Sequence, residues 1–385
     1  MRPAGNRVVE RRGFGQRMGS AIGGIVVGLL LFVAAFPVIF WNESRAVRTF
    51  ESLQEGQGLV ITVDSSTVDP ANEGALVHVT GSVVVPGDLN DPVFSVTASD
   101  ALRLRRTVEM YQWRESSRTE TRTTVGGGEE RVTTYSYERV WSRNLIDSSR
   151  FHNSVDHTNP RAMPFEELMA NQPSAQLGAF SLNSRQVQAF SNFERLHVGA
   201  HELAASGVAG LMAHDGLFYR GDNPASPQIG DARIRFEIVP ARDASIVAAQ
   251  VGDGFAPFVT SNRNQLEFIR PGVATADEIF EDAIATNRLL TWGLRFAAYL
   301  MLIIGLSLVL KPLAVASDIL PFLGRIVRGG LGLVSFAVVT PLFLLAVAIA
   351  WVAARPVLGV SLLILVAVAG VGGTVLLRKR AARQV

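Results

Sequence analysis

The sequence predicts an α+β membrane protein: four transmembrane helices, with a large, mainly β extracytoplasmic domain inserted between helices 1 and 2. Two observations lead to this prediction. Hydrophobic residues make up 48% of the 385 residues and charged residues only 18%, whereas soluble domains carry roughly a quarter charged residues. In addition, most of the charged residues lie in one central segment that is flanked by long uncharged runs.

Four apolar runs are long enough to cross a bilayer, whose hydrocarbon core of about 30 Å needs about 20 helical residues. They are residues 18–42, 329–354 and 357–377, which contain no charge, and 289–310, which contains only Arg295. The first run exceeds the roughly 7–15 residues of a signal-peptide core, so we expect an uncleaved anchor.

Basic residues predict the orientation of these spans. The tails at 1–17 and 378–385 and the loop at 311–328 are rich in arginine or lysine, which the positive-inside rule places in the cytoplasm. The domain at 43–288, including Gly127, is then expected outside.

The loop at 311–328 is expected to lie in the membrane interface, because it is mostly apolar. Pro312 and Pro321 are expected to break it into short helices. Lysine occurs only twice among the 36 basic residues. This bias is typical of a GC-rich genome and favours a bacterial inner membrane, with the large domain periplasmic or extracellular; a eukaryotic source would favour the endoplasmic reticulum or inner nuclear membrane.

The outer segment has a composition that excludes nucleic acid as a partner. It holds 32 acidic and 22 basic residues, a net charge of −10, and contains no basic run. Short alternating segments predict strands at 59–62, 75–85, 93–97, 232–239 and 246–251. The segments that begin at Gly74 and Gly230 are similar, which leaves an internal duplication open.

Helical spacing occurs at 165–169 and 184–193. Thr275 and Glu278 form a capping box, and we expect the helix behind them to continue into the second span.

A long hairpin is predicted from residues 103–113 and 135–141, with a turn centred on Gly127. This register pairs Trp113 with Trp141 and Glu115 with Arg139. An ordinary sheet contact and a ligand-binding aromatic face both fit this pair of tryptophans.

Short elements in a shared order carry a resemblance to a known family. They are Trp41–Val47, Glu109–Trp113, Thr134–Tyr137, Asn159-Pro160, Ala162-Met163, Phe218-Tyr219, Asn223-Pro224, Gly230-Asp231 and Thr291–Arg295. Together they resemble the transmembrane protein 43 (LUMA) family, except that Ser44 replaces a glycine. Structural or interaction roles are expected for Glu43, Arg295, Trp113, Trp141, Tyr111, Asn159, Pro160 and Trp292.

The resemblance implies a membrane organiser. Eukaryotic members reside in the endoplasmic reticulum and inner nuclear membrane, self-associate, and bind emerin and lamins. A bacterial member lacks those partners, so only membrane residence, self-association and a scaffold role transfer, with membrane-protein partners of unknown identity.

Catalytic motifs are absent from the sequence. The chain has no cysteine, which excludes thiolate metal sites and cysteine nucleophiles. His197 and His201 have the spacing of two helical metal ligands, but Val198 stands where a metalloprotease needs glutamate. We therefore expect no enzyme, no cofactor and no metal. The alternative to a scaffold is a small channel or transporter.

Glu43 and Arg295 are charged residues close to the predicted outer boundary, and both fall in elements that carry the resemblance. Glu43 follows the first span directly, and Arg295 lies six residues, or about 9 Å, into the second. Arg295 either pairs with Glu43 or extends independently to lipid headgroups. If they pair, the ion pair would fix the two chain segments that connect the outer domain to the membrane helices, one after the first span and one before the second.

Overall fold

A computed structural model describes residues 6–318 and 321–355. The α-helices are α1 (Phe14–Leu59), α2 (Ser184–Ala189), α3 (Ala200–Ser206), α4 (Ala276–Ser317) and α5 (Pro321–Ala354). The strands are β1 (Arg7–Arg12), β2 (Ile61–Asp64), β3 (Leu76–Val84), β4 (Leu89–Asn90), β5 (Thr97–Ala98), β6 (Ala101–Thr123), β7 (Glu129–Ser142), β8 (Leu168–Asn171), β9 (Ser174–Leu177), β10 (Phe180–Asn183), β11 (Glu194–Leu196), β12 (Leu211–His214), β13 (Leu217–Arg220), β14 (Ala232–Pro240), β15 (Asp243–Val251), β16 (Gly254–Ala256), β17 (Phe258–Val259), β18 (Gln265–Leu266) and β19 (Phe268–Pro271).

The chain divides into two compact units. The β unit comprises residues 6–9, Glu55–Glu120 and Val132–Glu281. The helical unit comprises Glu10–Gln54, Thr121–Arg131 and the described residues from Asp282 onwards. Residues 121–131 are the tip of the β6–β7 hairpin, so by its contacts the tip belongs with the membrane helices.

Three helices in the described part of the chain are long and apolar enough to cross a membrane: α1, α4 and residues 329–354 of α5. They correspond to three of the four predicted spans. The fourth predicted span, 357–377, lies outside the described residues. α4 continues through Pro312 to Ser317, so the expected break at Pro312 is wrong. Pro321 is the first residue of α5, a position where its missing N–H costs no helical hydrogen bond.

The capping box at the start of α4 is confirmed. The Thr275 N–H donates to the Glu278 carboxylate at 2.8 Å, and the Glu278 N–H donates to Thr275 Oγ1 at 3.3 Å. These bonds satisfy two N–H groups that a helix start leaves unpaired. The helix then runs unbroken into the second span, as the sequence predicts.

α1 and α4 pack with their backbones in close contact. A Cβ atom on Gly28 would lie 2.7 Å from the carbonyl oxygen of Gly305, and one on Gly305 would lie 2.8 Å from the carbonyl oxygen of Gly28. Only glycine fits at both positions, which is how membrane helices obtain van der Waals contact where lipid supplies no hydrophobic driving force. Ala298 and Leu302 of α4 extend this contact to Val339 of α5.

The β unit contains two main sheets. One has the order β1-β7-β6-β14-β13-β12, with β8 added to β6 and β11 added to β14. The other has the order β19-β15-β16-β10-β9-β3-β2, and an additional pairing of β15 with β3 closes a ring of five strands. Closure removes exposed edges from these strands.

Both strand predictions at the sheet centres are confirmed; burial alternates along β14, whereas the first four residues of β3 are all buried. Ala232, Ile234 and Phe236 of β14 are fully buried, and Val77 and Val79 of β3 are buried in the ring. The two segments proposed as a duplication thus form β3 and β14, and their common origin stays a prediction.

Two local predictions are wrong. Residues 165–169 enter β8 instead of forming a helix, because Leu168 and Met169 pair with Arg106 and Arg105 of β6. Residues 93–97 are mostly turn, since Asp91 accepts hydrogen bonds from the N–H groups of Val93 and Phe94.

The hairpin forms, but its register differs from the prediction by two residues. Side-chain hydrogen bonds join Ser116 to Ser136 and Thr119 to Thr133. The turn is centred on Gly126, because only Gly126 and Gly127 of the three glycines have positive φ. A shift of two residues keeps every side chain on its predicted face.

We predict that Gly28→Leu destabilises the helical unit by about 1–3 kcal/mol, because the new side chain overpacks the contact with Gly305. Gly23→Leu is the matched control, since a Cβ there meets nothing within 4 Å. Thermal unfolding of the detergent-solubilised protein measures both. Equal melting temperatures for the two variants would contradict the close helix contact.

Candidate functional site

The structure brings Glu43 and Arg295 together. Arg295 Nε donates to Glu43 Oε1 and Arg295 Nη2 donates to Glu43 Oε2, both at 2.7 Å. Glu43 is 1% exposed, so its charge is almost completely removed from solvent. The guanidinium carbon of Arg295 also lies 4.8 Å from the centre of the Trp292 ring. A two-bond fork of this kind fixes orientation as well as distance.

Four polar residues extend this contact between α1 and α4. Arg45 donates to Asn287 Oδ1 at 2.9 Å and to Thr291 Oγ1 at 3.0 Å. Asn42 Nδ2 donates to the Thr291 carbonyl at 3.1 Å, and Asn287 Nδ2 donates to the Ala46 carbonyl at 3.0 Å. The network binds each helix to the backbone of the other where the apolar runs begin.

Sequence reasoning identified Glu43, Arg295 and Trp292 here but missed Arg45, Asn287 and Thr291. Thr291 lies within the element Thr291–Arg295 that carries the family resemblance, which was the available signal. Arg45 and Asn287 are three and four residues from Asn42 and Thr291, a helical spacing that could have placed them on the same faces.

A second candidate site is a cleft of about 710 Å³ in the β unit. Its walls combine apolar and charged residues, including Met110, Pro160, Arg220, Asp222 and Asp231. Met110, Pro160 and Asp231 belong to three of the elements that carry the resemblance. The cleft is therefore built where those distant elements meet.

Asn159 stabilises one wall of the cleft, because its side chain makes the hydrogen bonds to the Trp113 backbone that a neighbouring strand would make. Its Oδ1 accepts from the Trp113 N–H at 2.7 Å, and its Nδ2 donates to the carbonyls of Trp113 at 2.9 Å and Ile146 at 3.1 Å. Asn159 thus satisfies both backbone groups of Trp113, and it is 6% exposed. Asn159 directly precedes Pro160, which lines the cleft, and the role expected for this pair stays a prediction.

Tyr219 and Asp231 join the opposite wall. The Tyr219 hydroxyl donates to Asp231 Oδ2 at 2.6 Å, and the Gln228 N–H donates to the same oxygen at 2.8 Å. Burial, together with this hydrogen bond, raises the pKa of Tyr219 well above its ordinary value. Gly221 has φ +146, and a Cβ there would lie 2.4 Å from the Asp231 carboxyl carbon, so glycine is required.

Trp113 and Trp141 lie on neighbouring strands but do not pair with each other. The Trp113 ring lies 5.6 Å from the Arg139 guanidinium carbon, while Trp141 lies 5.0 Å from Tyr111. Trp141 also has the guanidinium carbon of Arg233 3.9 Å from its ring centre. These are cross-strand sheet contacts of cation–π and aromatic type.

A third cluster lies at the other end of the helical unit. Arg17 Nη1 donates to the Gly127 carbonyl at 2.6 Å and its Nη2 donates to Asp318 Oδ2 at 2.6 Å. Arg17 Nε lies 3.1 Å from Glu129, which also pairs with Arg131. Although burial opposes it, the pKa of Glu129 is lowered by Arg131 and Arg17. The cluster joins the start of α1, the hairpin tip and the end of α4.

This cluster brings together groups that the predicted topology separates. The charge pattern predicts Arg17 and Asp318 in the cytoplasm and Gly127 outside, whereas Arg17 Nη1 lies 2.6 Å from the Gly127 carbonyl oxygen. The positive-inside rule is informative for short loops and not for long domains, which translocate largely regardless of charge. The side of the membrane on which the tip lies stays a prediction.

His197 and His201 do not share a helix, so they lack the geometry that suggested a metal site. His197 lies ahead of α3 and His201 lies in its first turn, and Gly199 between them is extended at φ −131°. Across the residues that the structure describes, no group of three or more His, Asp or Glu is placed to hold a metal ion.

Arg106 and Asp91 form a buried pair that the sequence did not reveal. Arg106 Nη1 donates to both Asp91 oxygens, at 2.7 and 2.6 Å, and the two side chains are 5% and 0% exposed. Arg106 lies on β6 between Leu104 and Val108, on the strand face that alternation buries, so the period of two was the available signal.

Comparisons with known proteins decide the family. A family model described as Transmembrane protein 43 matches residues 110–356. Human Transmembrane protein 43 is 36% identical over 355 residues, covering 89% of this chain and 88% of its own length. The chain belongs to the transmembrane protein 43 family.

Other members are similarly related. Mouse Transmembrane protein 43 is 35% identical over 89% of this chain and 88% of its own length. The Drosophila melanogaster Transmembrane protein 43 homolog is 29% identical over 88% of this chain and 90% of its own length. No solved structure matches the chain. The family match confirms the resemblance, and it spans both the cleft and the boundary residues Thr291–Arg295.

We predict that Glu43→Arg and Arg295→Glu, each made alone, destabilise the helical unit by about 3–5 kcal/mol, because each leaves two like charges in a buried site. The double variant should recover most of this loss. Denaturant unfolding of the three variants in detergent measures the effect.

The same exchange at Arg114 and Glu138 is the control, because these paired side chains are 55% and 53% exposed. That exchange should change stability by less than about 1 kcal/mol. Failure of the double variant at Glu43 and Arg295 to recover would show independent contacts with lipid headgroups.

We predict that Val125→Cys at the hairpin tip and Gln16→Cys beside Arg17 are labelled from the same side of sealed vesicles. The chain has no native cysteine, so each variant carries a single reactive thiol. Val125 is 87% exposed and Gln16 is also exposed. A membrane-impermeant maleimide reports the side, and labelling from opposite sides would show that the tip does not meet Arg17 in a bilayer.

Proposed function

We propose that this chain is a multi-pass membrane scaffold that self-associates and binds membrane-protein partners through its β domain and its helices. The observation that carries the proposal is the close packing of α1 against α4. Backbone contact at Gly28 and Gly305 leaves no passage between these two helices.

The ionisable residues of the spans support the same proposal. Within 18–42, 289–310 and 329–354 the sole ionisable side chain of the Asp, Glu, Lys, Arg or His type is Arg295. Both of its bonds to Glu43 are made, so its charge is compensated. Transport pathways contain unpaired or exchangeable ionisable groups inside the membrane, because the free-energy cost of burying a charge there is tolerated only where the charge serves transport. A channel or transporter is therefore less favoured.

The cleft of the β unit supports partner binding. Its apolar wall at Met110 and Pro160 lies beside the charged Arg220 and Asp222. A concave surface that combines apolar and charged groups suits binding of a protein segment, because protein interfaces join an apolar core to a polar rim. Its fixed hydrogen bonds at Tyr219 and Asp231 serve shape, and we assign no catalytic step, cofactor or nucleic acid to the chain.

The proposal keeps the basic segments 1–17 and 311–328 in the cytoplasm and the β domain extracytoplasmic. The contact of the hairpin tip with Arg17 bears on this orientation, and the labelling of Val125→Cys and Gln16→Cys tests it. For a bacterial source the membrane is the inner membrane, and for a eukaryotic source it is the endoplasmic reticulum or inner nuclear membrane.

We predict that the purified full chain, reconstituted in liposomes, gives no ion flux above protein-free liposomes made with the same detergent. Crosslinking in the same liposomes should give dimers or larger species, because a scaffold acts by self-association. A fluorescent ion indicator and denaturing gels measure the two results.

Each result separates the alternatives. Flux that depends on the protein would favour the channel or transporter. Absence of both flux and crosslinked species would overturn self-association. Dilution of the protein with excess lipid is the control, because crosslinks that depend on random collision fall with dilution while those of a stable assembly persist.

A further inference from the structure

A pocket of about 240 Å³ lies between α1, α4 and the end of α5. Each helix contributes the charged residue that adjoins its predicted span. These residues are Glu43 after residue 42, Arg288 before residue 289 and Arg355 after residue 354. Three span ends thus locate this pocket, which we name the boundary pocket, where lipid meets water.

The boundary pocket carries an excess of positive charge. It is lined by Arg288, Arg295, Arg355 and one carboxylate, Glu43. Both oxygens of Glu43 are used by Arg295, so that pair is neutral. No carboxylate in the described residues pairs with Arg288 or Arg355. Two arginine charges are therefore uncompensated.

Aromatic rings hold Arg355 without using its donors. Its guanidinium carbon lies 5.7 Å from the ring centre of Phe50 and 5.9 Å from that of Trp351. Cation–π contact restricts the position of a guanidinium, while its five N–H groups stay free to donate. Trp292 and Trp351 also line the pocket, and tryptophan is typical of the headgroup level of a membrane.

The size and charge of the boundary pocket fit a phosphate group. A volume of about 240 Å³ would hold about eight water molecules at about 30 Å³ each. Guanidinium forks match phosphate oxygens in pairs, which favours phosphate over a simple halide. At the water–lipid boundary, the phosphates available at high local concentration belong to lipid headgroups, and basic pockets between membrane helices bind such headgroups.

We propose that the boundary pocket binds the headgroup phosphate of an anionic phospholipid through Arg288 and Arg355. The neutral Glu43–Arg295 pair forms the floor of the site and keeps Arg295 from competing for the phosphate. This inference goes beyond the scaffold function, since a scaffold can be held in any bilayer, whereas this site selects the lipid that surrounds it.

The test compares wild type with Arg288→Gln and Arg355→Gln in the delipidated, detergent-solubilised full chain. Phosphatidylglycerol is titrated, and native mass spectrometry counts bound lipid. We expect each variant to weaken the tightest binding step by roughly tenfold, because one charge-assisted contact is lost. Arg48→Gln is the control, because Arg48 lines a separate groove at a similar level of α1, and its binding should equal that of wild type.

Further ligands distinguish the sources of phosphate. Phosphatidylcholine, which carries no net charge, should bind more weakly than phosphatidylglycerol in wild type. Inorganic phosphate at the same concentration should neither bind nor displace the lipid. Displacement of the lipid by inorganic phosphate, or equal binding of the two lipids, would overturn the assignment to an anionic phospholipid.

Arg288→Lys tests whether weaker binding by Arg288→Gln comes from the lost guanidinium contact or from misfolding. Arg288 is exposed, and lysine retains the charge but not the planar fork. We expect Arg288→Lys to bind better than Arg288→Gln and less well than wild type. Identical binding by wild type, Arg288→Gln, Arg355→Gln and Arg48→Gln would show that the boundary pocket is not the site. Because ion flux and crosslinking are not measured here, failure of this test leaves the scaffold proposal standing.

Discussion

Two ionised side chains lie at the edge of the hydrocarbon layer, and neither can be buried there without the other. Glu43 is 1% exposed, and removing one partner of a buried ion pair leaves an uncompensated buried charge, which is strongly destabilising. The fork between them fixes the rotation of α1 relative to α4, and with it the alignment of Gly28 with Gly305. The polar network of Arg45, Asn287 and Thr291 follows from that alignment.

The structural features that the sequence predicts correctly are those that depend on a single physical requirement of nearby residues. Uncharged runs predicted three described spans, because lipid tolerates few charges. Thr275 and Glu278 predicted the start of α4, because a helix must satisfy its first N–H groups. The short elements of the family resemblance meet at the cleft, where Asn159 completes the backbone bonds of Trp113; their separation along the chain concealed that meeting.

The parts that were missed depend on contacts between distant residues. The hairpin register was off by two residues because a row of three glycines does not say which two adopt positive φ. Residues 165–169 became part of a strand through pairing with β6, which overrides helical spacing. Alternation places Arg106 on the same face as Leu104 and Val108, but its partner Asp91 lies 15 residues away and no local pattern indicates the pair. The contact of the hairpin tip with Arg17 joins residues 110 positions apart, which no local sequence pattern indicates.

The cluster at the hairpin tip also imposes an order on biosynthesis. Arg17 and Asp318 are 301 residues apart, so a ribosome adding about 5–20 residues per second needs roughly 15–60 s between them. During that interval α1 is already in the membrane and the charge of Arg17 must be held by water or lipid headgroups. Gly127 and Glu129 arrive before Asp318 and leave the contact incomplete. The finished cluster therefore cannot guide insertion of the first helix, and it forms only after α4 has been made.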